Sequence, residues 1–361
     1  MPREQPVSGR GPGVVHLKAS AVAIWLVPLG VSILAFATNG VTSSLSLQYL
    51  RTLIVSVLIT LSFAFLEKVL PPGGPRKSSP QIILDIQVAI LLFLCVTLAS
   101  VLSTFVTAFV GHRLGVGWID LGFRSGDSAF ALVATVFLTW LIADFFFYWY
   151  HRGQHTFPLL WQVHKFHHMD EQVSATTRWR DNLSDAFIQI FFISIPIAIV
   201  FKFDPVATAK LITFLKLGGE AVGGFIHSNI RLHLGWASVL VVGPQMHRIH
   251  HSRLMQHHNR NFCLYYPIWD ILFGTYYHPS REEFPPTGID EAGEVTSIRE
   301  VVAIPFQGWW QICCGWRQRH TQSASMSSLP IGSPAGRLGK TPALASAGIA
   351  GAVVDPSVHR R

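Results

Sequence analysis

DFFFYWYHRGQHTFPLLWQVHKFHH, residues Asp144 to His168, carries five histidines at the intervals that a helix turns onto one face. Side chains three and four residues apart are neighbours on a helix surface. His151 with His155, and His164 with His167 and His168, can therefore each aim their imidazoles in a common direction. A second H-x-x-H-H stands downstream at His247, His250 and His251. Eight of the 17 histidines thus fall in three five-residue windows of a 361-residue chain, which an even spread would not produce. Imidazole in that number suits iron, copper, zinc or nickel rather than magnesium or calcium, which prefer oxygen. Eight nitrogens exceed what one ion needs, so the pattern predicts two metals.

The flanking residues supply the local frame. Pro158 and the pair Gly243-Pro244 are helix-start signals placed just ahead of the two H-x-x-H-H groups. Asp144 lies seven residues, two helical turns, before His151 on the same face. A carboxylate near a bilayer edge is costly to keep, and Asp144 reads as the acceptor for the outer ring N–H of a ligand histidine. Its other reading is a helix-packing partner for Arg152 or Lys165. Tyr148, Trp149 and Tyr150 read as an interfacial aromatic belt. His227 closes an apolar segment, with Glu220 seven residues before it and Lys216 as a pairing partner for Glu220, and is taken as a ninth ligand. Just past the third group, His257 and His258 fit either ligands or a solvated loop, and His258 joins the candidate set. His233 and His112 read as interfacial, and His16, His278, His320 and His359 as bystanders.

Composition places these histidines beside a membrane. Half of the residues are hydrophobic, 13% are charged and the mean hydropathy is +0.37, against roughly 25% charged in soluble domains. Residues 19 to 50 and 86 to 111 contain no charged side chain, each long enough for the roughly 20 apolar residues that span a bilayer. Further candidate spans lie at about 47–66, 129–150, 186–203 and 206–226, the last interrupted by Lys210, Lys216 and Glu220. With the histidines all on one side, ten lysines and arginines flank that side and five the other. The positive-inside rule then puts the site and both termini in the cytoplasm. The first apolar run is too long for a secretory signal and reads as a retained helix. From about Arg319 the chain turns to Ser, Ala, Gly and Pro and reads as a disordered tail. The four cysteines form no C-x-x-C pair. The net charge of +8 is met by basic residues flanking the spans, so anionic lipid headgroups rather than nucleic acid are the expected partner.

The expected fold class is all-α, a polytopic membrane helical bundle with a cytoplasmic helical cap carrying the histidine-rich dimetal site. Its divisions are 1–18, a cytoplasmic N-terminal segment; 19–127, N-terminal transmembrane helices; 128–318, the catalytic domain; and 319–361, the tail.

Between about Phe130 and His278 the motifs resemble the fatty acid hydroxylase and sterol desaturase superfamily of membrane di-iron oxygenases. The resemblance runs through Asp144, Tyr148, His151, Arg152 and His155, then Leu160-Trp161, His164, His167-His168, Thr177 and Arg180. It continues in Phe225, His227-Ser228-Asn229, Pro244, His247 to Ser252, Asn261-Phe262, Trp269-Asp270 and Leu272 to Tyr276. It implies two irons held by His151, His155, His164, His167, His168, His227, His247, His250 and His251, dioxygen as oxidant, and a lipid chain or ring as substrate. It also points to Asn261 as a residue close to the site. The chain departs from the family pattern at Met169, where the second histidine helix ends, and at Asn259 and Cys263, in the loop after the third group.

The chemistry this implies is hydroxylation or desaturation of a sterol, fatty acyl chain or related isoprenoid or ether lipid. The protein's part is to fix coordination, exclude water and hold one substrate carbon near the oxidant. No G-x-G-x-x-G after a predicted strand, no C-x-x-C-H and no cysteine cluster is present to supply electrons. A reductase, ferredoxin, cytochrome or reduced pterin is therefore expected as partner. The alternative, a histidine-rich metal transporter or metal-binding protein, would place its ligands along a path near mid-membrane, whereas these cluster at helix ends.

Overall fold

In the computed structural model the described residues are 15–16, 45–115, 119–120, 129–202, 218–290 and 293–327. The chain divides into two compact units, Met1–Cys314 and Gly315–Arg361. The described part is mostly helical, as the sequence predicts. The expected first span and most of the tail lie outside the described residues.

Two long helices open the fold, α1 (Leu45–Val69) and α2 (Ser79–Leu114). Pro sits in the first turn of α2, and Gly115 ends the helix in the left-handed region at φ 60°, returning its N–H to Gly111. That is the ordinary glycine solution to orphan carbonyls at a helix end. Ser79–Gly111 is long and apolar enough to cross a bilayer, by length and composition. Ile90, Leu94, Phe105 and Phe109 on it are each more than half exposed. Its first turns are anchored through buried Gln81, Leu84, Asp85 and Val88, and Ala99 is buried further along.

A helical hairpin then carries the first histidines. Helix α3 (Ala129–Thr156) gives way at Phe157 to α4 (Pro158–His168). Phe157 is extended at φ −95°, ψ 120°, because the proline ring that follows disfavours a helical conformation there. The apolar segment predicted at 186–203 is α5 (Asp185–Gln189), a π-turn (Ile190–Ser194) and α6 (Ile195–Val200). Residues 218–227 form α7, and α8 (Pro244–His250) and α9 (Ile268–Leu272) are short. Helix α10 (Ile298–Ser327) continues beyond the position at which the sequence suggests the tail begins. Two-residue parallel pairings join Val15–His16 to Leu232–His233 and Ile119–Asp120 to Phe201–Lys202.

The main core links these pieces under the histidines: Phe63, Tyr148, Phe225, Ile226, Met246 and Phe262 belong to one buried cluster. Gly224 permits it, since a Cβ there would come within 2.8 Å of the Phe63 ring. Tyr148 and Tyr150 are buried at 0% and 2% exposure rather than lying at an interface, so of the three expected belt aromatics only Trp149 stands out. The Tyr148 hydroxyl is shared with Arg152 and Thr275, and that of Tyr150 goes to Asp185.

A buried charge cluster ties α2 to the segment after α4. Lys77 Nζ lies 2.6 Å from Asp85 and also bonds Asp170, while Arg180 reaches Asp85 at 3.0 Å, all with side chains at most 3% exposed. Burial favours the neutral carboxyl of Asp170, yet Lys77 and Arg180 prevail and hold it down at about 2. Removing one member of such a cluster strands a charge where water cannot reach it. Lys77→Met should therefore lower the unfolding free energy by about 3–5 kcal/mol, read from denaturant titration in detergent; a loss below about 1 kcal/mol, the range of exposed pairs, would refute the account.

Candidate metal centre

The three histidine groups and His227 converge. His151, His155, His164, His168 and His250 form one group and His167, His227, His247 and His251 a second, with the candidate ligand atoms of each group within 4.8 Å of one another. Eight of these nine side chains are buried and His155 is half-buried. The two groups adjoin: the His168 and His251 rings stack with centroids 4.4 Å apart, and those of His164 and His167 stack at 5.1 Å.

Local helix geometry sorts them. Within α4, His164 and His168 go to the first group and His167 to the second; in α8 and the residue after it, His247 and His251 go to the second and His250 to the first. Residues four apart differ by about 40° around the axis, whereas the residue three along is displaced about 60° the other way. An H-x-x-H-H helix lying between two centres thus feeds both.

The inward nitrogens are close. Nε2 of His164 is 3.0 Å from that of His151 and 3.1 Å from that of His168. In the second group, His227 Nε2 is 2.8 Å from His247 and 3.1 Å from His167. Nitrogens each about 2.1 Å from one ion and at right angles are about 3.0 Å apart. Three outward nitrogens have fixed roles: Nδ1–H donates from His151 to the Phe262 carbonyl at 2.7 Å, from His250 to Arg260 at 2.8 Å and from His227 to Gly223 at 2.7 Å. With Nδ1 protonated, Nε2 presents a bare lone pair inward. His155 Nε2 and His250 Nε2 are buried without a hydrogen-bond partner, as expected of atoms whose partner would be a cation. The donor set fits two nitrogen-loving metals.

Burial also keeps the imidazoles neutral. It pushes the pKa of His151 down to about 4 and that of His227 to about 3, opposed in each by the backbone hydrogen bond. His164, His167, His168, His247, His250 and His251 lie well below 6.5, through burial first and then through one another's charge.

Three expected site residues hold no ligand position, Asp144 and His258 lying apart from the cluster and Asn261 beside it. Asp144 does not receive a ligand ring N–H: it accepts the backbone N–H groups of Leu264, Tyr265 and Tyr266, at 2.8, 3.2 and 2.8 Å, and so pins a loop to α3. Ring N–H groups go to carbonyls instead. Asn261 is buried but bonds the backbone of Met246 and Tyr277. His258 is exposed and belongs to neither group, because the chain there leaves the cluster in extended form at φ −62°, ψ 140°. His257 is the buried one, held between Ser252 at 2.9 Å and Glu283 at 3.0 Å. Glu220 pairs with Arg178. The sequence reading missed the Lys77, Asp85, Asp170 and Arg180 cluster, although Asp85 immediately precedes a charge-free run and so invited attention. It also missed the backbone acceptors, for which no side chain codes.

Taken together, fold and site define a helical, histidine-rich metal protein with a strongly apolar helix. Residues 136–275, which include all nine clustered histidines, match the fatty acid hydroxylase family model. The chain is 30% identical over 156 residues to the ornithine lipid hydroxylase OlsE of Rhizobium tropici, covering 43% of this chain and 45% of that protein. It is 31% identical over 142 residues to the alkylglycerol monooxygenase of Danio rerio, covering 39% and 30%, and 33% identical over 149 residues to that of Xenopus tropicalis, covering 41% and 32%. The matched region spans less than half the length of these relatives. No solved structure matches.

The depressed histidines set a pH dependence. Their folded-state pKa values lie below the 6.5 of an unperturbed imidazole, so under acid the unfolded chain binds more protons than the folded one. The metal-free protein should hold its Tm above about pH 7.5 and lose it steadily as pH falls through 6.5 toward 4. A Tm that rises over that interval would contradict the burial of neutral rings.

Proposed function

We propose that this chain is a multi-pass membrane di-iron oxygenase that hydroxylates or desaturates a lipid, using dioxygen and electrons from a separate protein or reduced pterin. The convergence of nine imidazoles into two adjacent groups carries the reading. The family match and the relatives' names, hydroxylases and monooxygenases of lipids, support the oxygenase class and a lipid substrate. The apolar, exposed face of Ser79–Gly111 supports a bilayer location. The excess of Lys and Arg on the histidine side supports a cytoplasmic site beneath the spans.

His151, His155, His164, His168 and His250 would hold one iron, and His167, His227, His247 and His251 the other. When bound, the pair supplies the electrons and Lewis acidity that activate dioxygen toward an aliphatic C–H bond. The chain's own residues do the rest. Burial keeps the ligand rings neutral and their lone pairs available. The carbonyls of Phe262, Arg260 and Gly223 fix tautomers and ring directions. Phe262, 1% exposed with its ring 5.2–5.7 Å from those of His151, His155 and His250, walls the first group off from water. A metal carrier would need ligands along a transmembrane path; these lie at the ends of α3 and α7, on the short helix α4, and on α8 and the residue after it.

Anaerobically purified protein should contain two irons by metal analysis and Mössbauer spectroscopy. Expression in a lipid-defined host should yield a lipid heavier by one oxygen or lighter by two hydrogens. His250→Ala and His167→Ala should each abolish product and lower iron content, while His258→Ala and His320→Ala should change neither. Full iron occupancy in the His250 variant would defeat the assignment.

A further inference from the structure

The carbonyls of Arg260 and Phe262, two residues apart on one loop, each accept the Nδ1–H of a clustered imidazole, His250 at 2.8 Å and His151 at 2.7 Å. The two rings come from α8 and α3 and stand 4.4 Å apart in the five-histidine group. The four-histidine group has no comparable clasp among the described residues. His227 donates one turn back within its own helix, to Gly223. Nδ1 of His247 and of His251 is buried without a hydrogen-bond partner, and that of His167 lies 3.7 Å from Asp181.

The loop is rigidly set by two side chains that bond no imidazole. Asn261, 2% exposed, sits between the two carbonyls at φ 56°, a left-handed conformation that Asn tolerates better than other side-chain-bearing residues. Its Nδ2 donates to the carbonyls of Met246 at 3.3 Å and Tyr277 at 3.1 Å, and its Oδ1 accepts the Tyr277 N–H at 2.8 Å. Asp270, 0% exposed, accepts the N–H groups of Phe262 at 2.8 Å and Cys263 at 2.9 Å and the Thr275 hydroxyl at 2.7 Å. Thr275 closes the frame by accepting the Asn261 N–H through its carbonyl at 3.0 Å.

We infer that Asn261 and Asp270 are positioning residues for one of the two metal centres, acting through the carbonyls of Arg260 and Phe262 on His250 and His151. The inference rests on the two-metal reading above and adds to it that the centres are unequal. Each carbonyl fixes the tautomer of its imidazole, aims Nε2 and makes the ring a better donor, an effect whose loss typically weakens metal binding 10–100-fold. The same loop hydrogen-bonds two of the five ligands of one centre and none of the other, so loosening it acts first on one centre.

The test is anaerobic titration of the full-length, metal-free protein in detergent with ferrous iron, followed by Mössbauer spectroscopy. The unmodified chain should take up two equivalents. Asn261→Gly keeps the backbone free to stay left-handed and deletes the amide; it should weaken one equivalent about 10–100-fold, alter one of the two iron spectra and leave the other equivalent in place. Asp270→Asn, which puts an amide N–H against one of two backbone donors, should do the same and carries the test should the Asn261 variant not fold. Ser238→Ala, which removes a buried hydroxyl bonded to Gly235 and His278, should leave both equivalents and both spectra unchanged. Equal weakening of both equivalents in step with Tm, or a two-equivalent titration unchanged in both loop variants, would overturn the inference. No uptake by the unmodified chain would instead refute the two-metal reading, and this inference with it.

Discussion

Nine imidazoles packed into two adjoining groups must all be neutral, and the structure is arranged around that requirement. A charged imidazolium beside eight others would be repelled by any neighbour that also took a proton, and burial would deny it water. The chain responds by supplying carbonyl oxygens rather than carboxylates to most outward ring nitrogens it satisfies. A carbonyl accepts Nδ1–H without drawing the proton away or adding a charge. The inward nitrogens are then left as lone pairs at mutual distances of about 3 Å, a spacing that repels until a cation sits among them. Metal binding and folding are coupled in such a site, because the cluster is least comfortable when empty.

The carboxylates are used one layer further out, as clamps on backbone. Asp144 gathers three consecutive N–H groups at 264–266 and Asp270 gathers two at 262–263. Between them they hold an irregular stretch that has no ladder of its own, which satisfies buried donors that would otherwise be costly. Asp85 and Asp170 hold the segment after α4 chiefly through side chains, the hydroxyls of Thr176 and Thr177, with Lys77 and Arg180 as counter-ions. The first turns of the apolar helix α2 are thereby tied to the region that carries His167 and His168, so apolar helix and site are one framework.

Polar chemistry placed at the ends of apolar helices explains two mistaken expectations. A carboxylate on the histidine face of α3 suggests a ligand's partner, because helical spacing measures direction along one helix only. It cannot report that the 264–266 loop folds across Asp144 first. Likewise His258 follows a true cluster histidine by seven residues, but the chain has left the helix by then, and sequence distance ceases to track direction. Tyr148 and Tyr150 pattern as interfacial residues, yet their hydroxyls find internal partners, which lets them be buried whole.

Helical class, histidine grouping and the apolar helix were written in the sequence, because each depends on short-range periodicity or on composition: three- and four-residue spacing for the imidazoles, unbroken apolar runs for the helices. The pairing of histidines into fives and fours was not, since it arises where α3, α4, α7 and α8 meet. Nor were the acceptors Arg260, Phe262 and Gly223, which serve through backbone oxygens that every residue possesses. Side-chain identity announces which atoms could bind a metal, and only long-range packing decides which of them face one another and what stands behind each ring.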